Sequence, residues 1–94
     1  MHMAPIMENW AIVKGKVTGI ADHPSMQGYV QVALDLKETK DFEDFPNMAR
    51  ADEGQTIQIN IRREQLEKSG AREGSEFEGR VRKAFGNVYF LAEL

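Results

Sequence analysis

The sequence predicts an all-β fold with one short helix: a single five-stranded Greek-key barrel whose helix lies between strands three and four. Three observations carry this. Segments of strict apolar–polar alternation recur along the chain, separated by turn formers. One stretch without β-branched residues, closed by glycine, falls between the third and fourth of those segments. A chain of 94 residues also supplies one modest core, and its strands leave open edges unless the sheet curls onto itself.

Residues 1–7 hold three methionines with His2 and Pro5. They read as a loose terminus, partly a cloning scar, and are set aside. The domain is then 8–94. Its first strand is expected over 10–20, WAIVKGKVTGI, with Val13, Gly15, Val17 and Gly19 on one side and Lys14, Lys16 and Thr18 on the other. Glycines inside a strand signal a sharp bend or the close approach of another backbone. Trp10 either caps the barrel or lies exposed as a stacking platform. The turn formers of ADHPSMQG break the pattern.

The second strand, 29–37, is the clearest. Val30, Val32, Leu34 and Leu36 face in, while Tyr29, Gln31, Ala33, Asp35 and Lys37 face out. A long acidic loop follows at about 38–55, either functional or mobile at that length. Residues 56–62 alternate again, with Ile57, Ile59 and Ile61 inward and Thr56, Gln58, Asn60 and Arg62 outward. Residues 63–69 are mostly helix formers anchored by Leu66, and Gly70 suits the left-handed position that ends a helix. The fourth strand, 76–83, turns Phe77, Gly79 and Val81 inward. FGN reads as a hairpin turn. The fifth strand, 88–94, is apolar on both faces, which leaves its parity open.

Composition excludes several function classes. The chain has no cysteine, so disulfide scaffolds, thiolate metal sites and cysteine catalysis are ruled out. No apolar run reaches the length of a membrane span, and no signal-peptide pattern is present, so a cytoplasmic, non-membrane protein is expected. Net charge is −3, unlike an indiscriminate phosphate binder. The acidity is local: residues 38–53 hold six acids and two bases, the rest nine acids and ten bases.

Catalytic constellations are poor. His23 stands alone. Asp22 beside it points the other way on an extended segment, and no nucleophile adjoins either. Asp41, Glu43 and Asp44 lack the glycine and spacing of a calcium loop. No other metal-ligand spacing and no phosphate-binding glycine fingerprint occurs. The expectation is a non-enzyme with no cofactor and no metal.

A long glycine-bent first strand, the helix RREQLEKSG after INI, and the closing hairpin EGSEFEGRVRKAF-GNVYFLAEL together resemble an OB-fold. An SH3-like barrel is the competitor, but the helical octet counts against it. The resemblance implies a binding face on the outer side of strands two and three, flanked by the loops at 21–28 and 83–87. That face would hold Tyr29, Gln31, Gln58, Asn60 and Arg62, with Lys14 and Lys16 from strand one and Lys83 and Phe85 from the last hairpin. Tyr29 and Phe85 could stack bases, the four cations neutralise phosphates, and the amides read base edges. Single-stranded DNA or RNA, held weakly to moderately, is the expected partner. The bland alternative is a merely solvated wall, with Tyr29 a cross-strand packing residue.

A second reading rests on DFEDFP. Phe42, Glu43, Asp44 and Phe45 could dock aromatics into a basic protein partner whose cations meet the carboxylates. The segment resembles the acidic, aromatic tail tips of bacterial single-strand binding proteins, though here it is internal. It could also fold back over the chain's own basic face, or simply pack its rings under a surface loop.

Overall fold

The computed structural model describes residues 8–92. Five strands form a closed barrel: β1 Ala11–Asp22, β2 Tyr29–Asp41, β3 Thr56–Arg62, β4 Glu76–Phe85 and β5 Val88–Leu91. Neighbours run β1-β2-β3-β5-β4, and β4 closes on β1. Every pairing is antiparallel except β3 with β5. Helix α1, Arg63–Ser69, lies between β3 and β4, as the sequence predicts.

The alternation works as expected. Val13, Val17, Val30, Val32, Leu34, Leu36, Ile57, Ile59, Ile61, Phe77 and Val81 fill the interior, and Tyr89 is its largest fully buried side chain. Burying each such side chain is worth roughly 1.5–3 kcal/mol. Leu66 of α1 packs against this core from one end. Gln65 holds the start of the helix through its Oε1, which accepts from the Arg62 amide at 3.2 Å. Gly70 ends it at φ 69°, a conformation that costs a Cβ-bearing residue.

The glycine signal in β1 has two different outcomes. The β1–β2 register shifts at Lys14/Gly15 and again at Val17/Gly19, which lets a long strand coil around a narrow barrel. At Gly15 the close approach is real: a Cβ there would stand 2.1 Å from the Asp35 carbonyl oxygen. At Gly19 it would meet only the Ala33 Cβ, at 3.8 Å.

Several strand ends differ from the sequence expectation: β1 spans 11–22 rather than 10–20, and β5 ends at Leu91, with Ala92 already outside the strand. β2 runs to Asp41, because β1 offers partners as far as Ala11↔Asp41. β4 runs to Phe85, so the last turn is only Gly86 and Asn87. The predicted continuation of β5 through residues 93 and 94 lies outside the described residues, as does the loose start at 1–7.

The acidic loop is tied down. Asn47 Oδ1 accepts from the amides of Ala49 and Arg50, and Glu53 accepts from the amide and hydroxyl of Thr39. Ala49, 1% exposed, joins the core. A short 3-10 turn, Arg50–Asp52, places the Asp52 carboxylate where Tyr89 Oη donates to it at 2.5 Å and Lys83 Nζ at 3.1 Å. Burial, then the hydrogen bond to Asp52 and its charge, push the Tyr89 phenol above its ordinary value. The segment is therefore latched to the barrel mouth by polar contacts.

Candidate functional site

Strand pairing assembles one aromatic, cationic patch on the outer wall of β2, β3 and β5. Gln31, Asn60 and Phe90 lie side by side in register, and Arg82 of β4 continues the row. In the next row Tyr29 sits opposite Arg62. The Tyr29 and Phe90 rings meet edge to face, with centroids 6.3 Å apart. The Arg62 guanidinium lies 5.7 Å from the Tyr29 ring centre. This is cation–π geometry and keeps a positive charge beside a half-buried ring.

Phe90 is the member that the sequence left unplaced. Its partner Tyr89 is the inward residue, which turns Phe90 out. No local signal separates the two rings, because VYFL is apolar at both parities.

Asn60 is a correction. Its parity is outward, yet it is 4% exposed. It sits on a central strand between Gln31 and Phe90, and long neighbours cover it. Its Oδ1 has no hydrogen-bond partner. Gln31 and Gln58 are half-buried on the same wall.

Lys83 is a second correction. Positions 77, 79, 81 and 83 share a parity, so Lys83 turns into the barrel mouth. There its ammonium pairs with Asp52, lies 5.8 Å from the Tyr89 ring centre, and the side chain is only 18% exposed. The structure thus places it in an ion pair at the mouth and not on the outer wall beside Tyr29. The Asn9 side chain exchanges two hydrogen bonds with the Lys83 backbone, extending the β1–β4 edge.

Lys14 and Lys16 are exposed but stand apart from the patch. Lys14 is flanked in register by Glu38 and Glu78, Lys16 by Asp35 and Glu76. Asp35 is six residues along β2 from Tyr29, about 20 Å at the strand rise. Phe85 projects at the last hairpin, 70% exposed, beside Val88.

The DFEDFP segment folds back on the barrel. The Phe42 and Phe45 rings stack at 6.2 Å, joined by a turn in which the Phe45 amide donates to the Phe42 carbonyl. The Arg80 guanidinium lies 4.6 Å from the Phe42 ring centre and 5.4 Å from that of Trp10. Trp10 is thus neither a barrel cap nor a free platform; it is half-buried on the outer wall, with Arg82 at 6.0 Å. Glu43 and Asp44 remain exposed at the turn.

His23 caps the β1–β2 turn: its Nδ1 accepts from the amides of Ser25 and Met26 at 3.1 and 2.9 Å. Asp22 accepts from the Arg63 guanidinium, so the two neighbours serve separate structural contacts. Among the described residues no group of three or more histidines and carboxylates gathers, and no helix is long and apolar enough to cross a membrane. No protein-family model matches the sequence, and no curated protein matches it.

Proposed function

We propose that the chain is a non-catalytic binding module of the OB type that engages single-stranded DNA or RNA through the outer wall of β2, β3 and β5. The observation that carries this is the Tyr29–Phe90 ring pair with Arg62 against Tyr29. Bases stack on the rings, Arg62 and Arg82 neutralise phosphates, and Gln31 and Gln58 reach base edges. Few cations line the patch, so binding is weak to moderate and involves few phosphates.

Titration of labelled oligothymidine tests this. Affinity falls with salt along a shallow slope, and Tyr29→Ala and Phe90→Ala each weaken binding by about 1–3 kcal/mol. No binding at low salt discards the reading. The protein-interaction reading ranks second, because Phe42 already rests on the chain's own Arg80.

A further inference from the structure

A groove of about 620 Å³ opens between α1, the end of β5 and the neighbouring walls of β1 and β4. Pockets for small organic ligands span roughly 300–1,000 Å³. Ile12, Phe42, Phe77 and Leu91 give this one its apolar surface. Strand register sets Lys40 on one side of Ile12 and Arg80 on the other, and Lys68 joins from α1. Three cations thus line the groove against a single carboxylate, Glu78, in a chain of net charge −3.

Those cations lack counterions. Among the described residues neither Lys40 nor Lys68 has an ion pair. Arg80 lies against the rings of Phe42 and Trp10, and its buried Nε has no hydrogen-bond partner. The uncharged polar side chains are already engaged: Gln65 Nε2 donates to the Ala92 carbonyl and Ser69 Oγ to that of Leu66. What the groove offers a ligand is an apolar floor and unmatched positive charge.

We propose that this groove binds an amphiphilic carboxylate, with a medium-length alkyl chain on the apolar floor and its carboxylate against Arg80, Lys40 and Lys68. Arginine's fork of donors matches a carboxylate, and the lysines add charge without demanding one geometry. The site is separate from the Tyr29–Phe90 patch and does not depend on nucleic-acid binding.

Decanoate, kept below its micelle concentration, is the probe. Trp10 emission reports on it through the Arg80 contact, and backbone amide shifts locate it. The expected result is saturable binding with shifts at Ile12, Lys68, Gly79 and Arg80, and at least tenfold weaker binding of decyltrimethylammonium. Lys40→Glu with Lys68→Glu weakens decanoate at least tenfold without unfolding the chain, since both side chains are at the surface. Arg72→Glu, an exposed residue outside the groove, leaves binding unchanged. Absence of saturable binding, equal binding of the anion and the cation, or an unaltered affinity in the folded double variant overturns the proposal.

Discussion

Replacing Gly15 with alanine tests the coiling of β1 directly. The new Cβ would stand 2.1 Å from the Asp35 oxygen, where ordinary contact begins at 3.4 Å, so β2 must retreat by about 1.3 Å. Strands pair at about 4.8 Å, and such a retreat breaks about two ladder hydrogen bonds at roughly 1 kcal/mol each. It also pries apart Val13, Val17, Leu34 and Leu36, all 0% exposed, with a strain of about 1–3 kcal/mol. The loss is therefore about 3–5 kcal/mol, against a total stability of roughly 5–14 kcal/mol for a domain of this size. Gly19→Ala is the control. Its Cβ makes only ordinary contact at 3.8 Å, so stability stays level or rises by about 0.4–1 kcal/mol through the unfolded state. Urea unfolding followed by Trp10 emission and far-ultraviolet circular dichroism measures both. With a slope near 1 kcal/mol/M, Gly15→Ala lowers the midpoint by roughly 3 M or leaves the chain unfolded. Equal midpoints for the two variants would refute the reasoning, because β1 would then not press against β2 at Gly15.

The latch at the barrel mouth yields two further expectations. Asp52→Ala strands the Tyr89 hydroxyl and the Lys83 ammonium together; with both ion-pair side chains under one-fifth exposed, the loss is about 3 kcal/mol. Thermal unfolding shows it as a fall of roughly 12–24 °C, with faster proteolysis after Lys40 and Arg50. Tyr89 keeps its proton above the ordinary value of 10.0 when folded; the folded state then binds more protons than the unfolded one, and stability is full below that value and falls as pH rises beyond it. Urea midpoints from pH 9 to 11 decline less steeply in Tyr89→Phe, and parallel declines would remove the phenol from the account. Finally, Lys14→Ala with Lys16→Ala leaves oligothymidine affinity within about twofold, because their register neighbours are carboxylates; a loss as large as that of Tyr29→Ala would move the site to β1.

Much of the barrel was legible because strand parity is a local property. Val30 through Leu36 and Ile57 through Ile61 are inward in the sequence pattern and in the fold, and Gly70 ends the helix as its type predicts. The end of β2 was not legible. Glu38, Lys40 and Asp41 look like loop, and pairing with β1 alone makes them strand. Lys83 could have been placed by extending the 77–79–81 parity one step. Its counterion Asp52 could not, since 31 residues separate them and only barrel closure joins them. Of the proposed patch, Tyr29, Gln31, Gln58 and Arg62 were visible from alternation. Phe90 came from β5 by parallel pairing with β3, a contact that no local pattern encodes.

Sequence alone determined which side chains are apolar, in what rhythm they recur, and where the chain must turn. Those choices fix strands, helix and interior, because burial of alternate residues follows from backbone geometry within a few positions. Tertiary structure decided which outward residues share a surface. Closing the barrel sets Phe90 beside Tyr29, carries Lys14 and Lys16 away to acidic neighbours, and folds an acidic loop down onto Tyr89. Such neighbours are distant in the chain, and their meeting depends on how the sheet curls and shifts register.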